Sequence, residues 1–259
     1  MGRRTVSEWI LETQSVSKSY GGVKAVDQVT LRVKKGSVTA LIGPNGSGKT
    51  TLFNIISGVD KPDGGRILIS EKDVTGYPLH KFFQMGVYRT FQNPRLFFGM
   101  SVLENTLLTV KSPGDNPLTA LLPSKWLKHE LNIAEQAKEI LEMFRLSEVY
   151  KNGASGISGG QIKLLQLAMV LMAIPRLVLL DEPIAGVSPH LVPIIFNALL
   201  RIREQGKTLF IIEHRLHELF EVADWVYVMG RGRLIASGQP SDIIKNDRVK
   251  EEYLGSSIV

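Results

Sequence analysis

Residues 43–50 read GPNGSGKT and fit the pattern G-x-x-x-x-G-K-[S/T]. That pattern constrains a fold when a strand precedes it and a helix follows it. Both are expected here. Val38-Thr39-Ala40-Leu41-Ile42 is an apolar run suited to a strand, and Thr51-Leu52-Phe53-Asn54-Ile55-Ile56 has helical character. Gly43, Gly46 and Gly48 let the backbone turn sharply and point N–H groups inward, and the helix start adds its positive dipole end. Lys49 offers a compact cation to the β- and γ-phosphates of a nucleoside triphosphate, and the Thr50 hydroxyl can ligate Mg²⁺. Pro44, Asn45, Ser47 and Thr51 complete the phosphate-binding stretch. The unit predicts an α/β chain with a phosphate-loop NTPase core.

The 259 residues suffice for one large domain or a domain carrying a subdomain. The formal charge of +6 is scattered, with no basic run longer than Lys34-Lys35 or Arg3-Arg4. That excess suits a nucleotide polyphosphate, and no nucleic-acid partner is expected. The chain has no cysteine, which excludes a disulfide scaffold and a thiolate metal site. Met1 to Glu12 lacks the apolar stretch of a secretory leader, so none is expected. Ile162 to Leu180 is long and apolar, but Lys163, Gln166 and Pro175-Arg176 interrupt it. A helix followed by a strand is expected there rather than a membrane span.

The order of elements is mixed. Ile10–Val16 and Val26–Val33 read as strands, the second with Val29, Leu31 and Val33 on one face. Lys61-Pro62-Asp63-Gly64-Gly65 is a turn before a short strand at Arg66–Ile69. Together these predict an antiparallel β layer beside a mixed, mostly parallel core sheet. From Gln92 to Gly156 the texture becomes helical. Ser101 and Glu104 form a capping-box pattern before Val102–Val110, and Lys111–Lys128 reads as irregular. Glu130–Arg145 is an amphipathic helix with Leu131, Ala134, Ala137, Leu141 and Phe144 on its apolar stripe. The expected domains are therefore a core of residues 1–91 and 157–259 and an inserted α-helical subdomain of residues 92–156. Within the core, Gln161–Ala173 should be a helix and Leu177–Asp181 a buried strand. Ser188-Pro189 should cap a helix running to about Gln205, followed by strands at Thr208–Glu213 and Trp225–Met229. Asp242–Leu254 should be one polar terminal helix.

Two further stretches carry chemistry. Leu177-Val178-Leu179-Leu180-Asp181-Glu182 is an apolar strand ending in two acids. Downstream of a phosphate loop, the first acid at such a strand end holds Mg²⁺ and the second can polarise a water for attack. Ser158-Gly159-Gly160-Gln161 opens an apolar helix and exposes N–H groups and a hydroxyl, an arrangement that binds anions. Alone, those four residues would read as an ordinary glycine-rich helix cap; their place shortly before Asp181 favours the anion site.

The order GPNGSGKT, ISGGQ, LVLLDEP resembles the ATP-binding cassette ATPases, the nucleotide-binding subunits of ABC transporters. The resemblance covers nearly the whole chain. It implies ATP as substrate, Mg²⁺ as cofactor, and a second ATP-binding subunit, either a copy or a paralogue, in a head-to-tail dimer. Ser158, Gly159, Gly160 and Gln161 would then serve the ATP held by that other subunit. The resemblance also implies that Tyr20 stacks on adenine, that Gln92 reaches Mg²⁺ and the attacking water, and that His214 contacts the γ-phosphate and supports Glu182 as general base. The metal set implied is Thr50, Gln92 and Asp181.

Arg89-Thr90-Phe91-Gln92, Val102-Leu103-Glu104-Asn105 and Tyr253-Leu254-Gly255 are similar to the branched-chain amino-acid importers of that family. Urea and amide importers have closely similar ATPases, and a soluble ATPase of the iron–sulfur assembly type is a further alternative. The importer resemblance places the chain in the cytoplasm, peripheral on the inner face of the membrane through permease subunits. It places the docking surface near Gln92 to Asn105. There Leu96, Phe97, Phe98 and Met100 are apolar candidates either for docking or for a subdomain core. Ile162, Lys163, Met169 and Ser188 depart from the commoner family pattern, and Ser188 stands in a loop expected to bridge subunits.

Overall fold

The computed structural model describes residues 7–90, 96–110 and 121–254. These fall into two compact units. One is built from the chain up to Arg89, Arg176–Pro183 and the chain from Leu199 onwards; the other from Thr90–Pro175 and Ile184–Ala198.

The first unit holds two sheets. β1 (Trp9–Tyr20), β2 (Val23–Lys34), β4 (Gly64–Ile69) and β5 (Lys72–Asp73) form an antiparallel layer in the order β2-β1-β4-β5. β3 (Val38–Ile42), β6 (Val87–Arg89), β7 (Leu177–Asp181), β8 (Thr208–Ile212), β9 (Trp225–Gly230) and β10 (Arg233–Gly238) form the second, in the order β10-β9-β3-β8-β7-β6. All pairs in it are parallel except the edge pair β9–β10. This is the expected phosphate-loop NTPase fold with its antiparallel layer.

Burial explains why each stretch takes its place. Every residue of β3, β7 and β8 is buried, as a strand covered on both faces requires. β2 instead alternates, with Val29, Leu31 and Val33 inside and Thr30, Arg32 and Lys34 outside, so only one face meets the core. Both sheets share one apolar core with helix α1 (Lys49–Ile56). Phe53 of α1 meets Phe210 of β8 with ring centroids 4.9 Å apart. The loop before α1 is thereby anchored at both ends by buried apolar side chains. Short helix α2 (Leu79–Gln84) seats Phe82 in the same core.

In the second unit, α3 (Val102–Leu107), α4 (Pro123–Met143) and α5 (Gly159–Met172) pack on one another. Ile133 and Ala137 of α4 and Met172 of α5 form the buried centre, with Leu103, Leu107 and Ile140 against it. Helix α5 therefore groups with the helical segment, beyond the boundary expected at Gly156. α6 (Val192–Glu204) follows from Ser188 through a 3₁₀ turn at Pro189–Leu191.

Several local expectations differ. Ala137, Leu141 and Phe144 of the expected stripe are buried, whereas Leu131 is exposed and Ile133 is the buried residue at that end of α4. Ser188 does not cap a helix with its side chain, because its hydroxyl is hydrogen-bonded to His190 Nδ1 at 2.9 Å. After α7 (Leu216–Val222), the C-terminal stretch is two helices, α8 (Pro240–Lys245) and α9 (Asp247–Leu254). Asn246 between them is extended, and its side chain accepts from the backbone N–H of Arg248. The Lys111–Lys128 excursion lies partly outside the described residues, and its end is already helical from Pro123.

Candidate active site

The phosphate loop leaves β3 and enters α1 with two glycines under steric constraint. Gly43 has φ 154°, and a Cβ there would lie 2.3 Å from the Met229 carbonyl oxygen. Gly48 has φ 100°, and a Cβ there would lie 2.1 Å from the Ala25 carbonyl oxygen. The loop is thus pressed between the start of β2 and the end of β9, and only glycine fits at those contacts. Gly232 in the β9–β10 turn donates its N–H to the Ser47 carbonyl at 3.0 Å, closing the clamp.

Lys49 opens α1 and is only 6% exposed. Its Nζ donates to the carbonyls of Gly43 at 2.8 Å and Pro44 at 2.9 Å, so the ammonium is held over the loop. Burial pulls its pKa below the ordinary lysine value, while the charges of Glu182 and Asp181 work in the opposite direction. Asn45, Gly46, Gly48, Lys49, Thr50 and Thr51 line a cleft of about 420 Å³. Glu182 and His214 line the same cleft from the ends of β7 and β8. Their side chains meet there, with Nε2 of His214 2.9 Å from Oε1 of Glu182. Glu182 has φ 50°, an uncommon conformation for a side chain of this kind, and its N–H is fixed by the Ile212 carbonyl at 3.0 Å. A cradle of N–H groups, a cation and a carboxylate–imidazole pair converge on one opening, which suits a phosphoanhydride and an attacking water.

The other expected residues divide by location. Tyr20 ends β1 with its ring exposed and its hydroxyl donating to Asp60 Oδ2. The phenol is pushed up to about 12, first by that hydrogen bond and then by burial and the nearby carboxylates. Ser158, Gly159, Gly160 and Gln161 belong to the second unit. Ser158 caps α5 through a capping box: its Oγ accepts from the Gln161 N–H at 3.3 Å, and Gln161 Oε1 accepts from the Ser158 N–H at 2.8 Å. Ser158 and Gly159 are exposed, so this helix start is open to a ligand. Gln92 lies outside the described residues.

Residues 26–185 match the family model described as ABC transporter. The chain belongs to the ABC transporter family. It is 43% identical over 250 residues to a probable branched-chain amino acid transport ATP-binding protein, LivG, of Methanocaldococcus jannaschii, covering 95% of this chain and 97% of that one. It is 35% identical over 255 residues to the high-affinity branched-chain amino acid transport ATP-binding protein BraF of Pseudomonas aeruginosa, covering 97% and 100%. Among solved structures, an ATP-binding cassette of an ABC transporter in its ADP conformation superposes with a TM-score of 0.82 at 41% identity, covering 96% and 100%. This cassette is thus an ATP-binding ATPase subunit.

Sequence reasoning missed several residues of the cassette. Val23, Lys24 and Ala25 at the start of β2 and Arg231 in the β9–β10 turn also line the cleft. They were missed because contact with the loop comes from strand order rather than from any local pattern. In the second unit, Asn105 is fully buried. Its side chain accepts from the Phe97 N–H at 2.8 Å and donates to the carbonyls of Phe97 at 3.0 Å and Ser101 at 2.9 Å. It fixes a loop on which Phe97 and Phe98 are exposed and Leu96 is half-buried.

Proposed function

We propose that this cassette hydrolyses ATP to drive import of branched-chain amino acids through a membrane permease. The observation that carries the hydrolytic part is the pairing of His214 with Glu182 in the cleft lined by Lys49 and Thr50. In this reading the loop N–H groups and Lys49 hold the β- and γ-phosphates, and Tyr20 stacks on the base. Glu182 accepts the proton of the attacking water, and His214 keeps that carboxylate aimed and contacts the γ-phosphate.

The residues present fit Mg²⁺. Thr50 and Asp181 offer oxygen donors, and Gln92 adds an amide oxygen by family resemblance; Mg²⁺ favours such donors together with substrate phosphates. The Ser47 hydroxyl is buried in the loop without a hydrogen-bond partner among the described residues, as expected of a group that serves a ligand. When bound, Mg²⁺ would supply charge neutralisation between the β- and γ-phosphates.

The open start of α5 supports a head-to-tail dimer in which Ser158, Gly159, Gly160 and Gln161 close on the partner's ATP. Losing the γ-phosphate would release that closure. Exposed Phe97 and Phe98, held by Asn105, supply the apolar surface for a permease. No helix among the described residues is long and apolar enough to cross a membrane. In this reading the chain attaches to the inner membrane face through the permease. The names of the relatives and the VLEN segment support the choice of solute. The test is uptake by vesicles holding the permease and a matching binding protein. Labelled leucine should enter only with ATP and this chain, and not with Glu182→Gln; uptake of urea in place of leucine would reject the solute.

A further inference from the structure

Arg89 is the last residue of β6, and its charge is enclosed. The side chain is 5% exposed and that of its ion-pair partner Asp181 is 2% exposed. Nη2 donates to Asp181 Oδ2 at 2.8 Å. Nη1 donates to Asn54 Oδ1 at 2.7 Å and to Ser57 Oγ at 3.0 Å. Asn54 lies on α1 and Ser57 is its C-cap. Ser57 is fixed in turn, because its hydroxyl donates to the Phe53 carbonyl at 2.6 Å. The guanidinium also lies 5.9 Å from the Phe53 ring. One planar fork therefore ties the acid at the end of β7 to the helix whose first turn carries Lys49 and Thr50.

An ion pair this deep is a poor device for stability alone. Removing two charges from water is expensive, and an apolar pair of similar volume commonly serves a core as well. The surrounding core supplies such an environment, with Phe53, Leu179 and Phe210 all buried. What the pair does supply is geometry. A carboxylate on a strand end has rotamer freedom, and a guanidinium that donates to one of its oxygens while its other nitrogen is anchored on α1 restricts it.

We infer that Arg89 is a positioning residue for Asp181: it fixes the acid relative to α1, and so relative to Thr50, for capture of the nucleotide-bound cation. This rests on the reading of Asp181 and Thr50 as cation-holding residues. Arg89 does not touch nucleotide in this role; it acts through Asp181, as residues behind a metal ligand do.

The experiment compares Arg89→Met, Asn54→Ala and Asp181→Asn in the full chain. Two quantities are measured with a fluorescent ATP analogue. One is affinity in excess EDTA, and the other is the free Mg²⁺ concentration that gives half of the Mg²⁺-induced change in binding. Arg89→Met should leave metal-free affinity within about twofold of wild type while raising the Mg²⁺ midpoint about tenfold. Asn54→Ala keeps the ion pair and removes only one half-buried anchor on α1, so it tests the inference even if Arg89→Met folds poorly. Its midpoint should rise about threefold. If Asp181→Asn shifts the midpoint but Arg89→Met and Asn54→Ala do not, the inference is overturned and the Asp181 reading stands. If Asp181→Asn leaves the midpoint unchanged, the Asp181 reading falls and takes the inference with it. Equal loss of metal-free and Mg²⁺-dependent binding in Asn54→Ala would mean that the network only supports the fold, and would also overturn it.

Discussion

His214 Nε2 lies 2.9 Å from Glu182 Oε1, although the residues are 32 positions apart. The sheet explains the meeting. β7 and β8 are parallel neighbours with Asp181 level with Ile212, so the residues just past their ends emerge side by side. In the proposed mechanism this carboxylate, held by an imidazole beside Lys49, takes a proton from water near the γ-phosphate. Glu182→Gln should therefore bind ATP as wild type does and lower the hydrolysis rate by about 10²–10⁴-fold. His214→Ala should lower kcat with little change in KM, because Glu182 remains but is no longer aimed. A steady-state assay beside equilibrium ATP binding separates the two; near-wild-type turnover of Glu182→Gln would remove Glu182 from the role of base.

The phosphate loop makes a steric prediction. Gly48→Ala places a methyl 2.1 Å from the Ala25 carbonyl oxygen at a φ of 100°. The backbone conformation alone costs about 1–3 kcal/mol, before any displacement of β2. Denaturant unfolding should show that loss, and ATP affinity should fall with it. By contrast, Gly46→Ala meets no atom within 4 Å and carries only the cost of its φ of 77°. If both variants lose ATP binding equally, packing against β2 is not what shapes the loop.

The phosphate loop, the terminal acids of β7 and the cap of α5 were legible because their chemistry is local. A glycine pattern, an apolar strand ending in acids and a Ser-x-x-Gln box each fit within a few residues. Fully buried strands were legible for the same reason: β3, β7 and β8 carry apolar runs that only a covered sheet accepts. What the pattern could not yield is the meeting of distant polar groups. Arg89 and Asp181 are 92 positions apart and join because β6 and β7 pair in parallel. Tyr20 reaches Asp60 because the residues after α1 return toward the end of β1. On α4, Leu131 and Ile133 both fit a helical stripe on paper, and only the position of α5 decides that Ile133 is the buried one. Short α2 and β6 were missed because three to six residues carry too little periodicity to read.

The Tyr20–Asp60 hydrogen bond predicts a pH dependence. The phenol is raised from its ordinary 10.0 to about 12, with the Asp60 bond as the first cause. A raised folded-state pKa means that folding favours the protonated phenol. That contribution is full below pH 10 and is lost as pH rises toward 12. Phenolate absorbance should show one tyrosine whose ionisation drops back toward about 10 in Asp60→Ala. On the proposed role of Tyr20, the same variant frees the ring. ATP affinity should then weaken about threefold, while affinity for tripolyphosphate, which has no base, stays unchanged. Equal weakening for both ligands would move Asp60 from base positioning to the phosphate loop.

The open start of α5 and the phosphate loop make the last prediction, because the proposed dimer builds each site from Lys49 of one chain and Ser158 of the other. Lys49→Ala should abolish ATP binding at its own loop by removing the buried cation. Ser158→Glu should leave the loop intact but put a negative charge where the helix start faces phosphate, at a capping cost of about 1 kcal/mol. Each variant alone gives dimers with two defective sites. Mixed, they form some dimers in which one site carries both defects and the other carries neither, as two-fold symmetry requires. Hydrolysis should reappear on mixing and rise with the fraction of mixed dimer, read by native mass spectrometry. If the mixture stays as inactive as its parts, while mixed dimers are present, the site is complete within one chain and the head-to-tail arrangement is wrong.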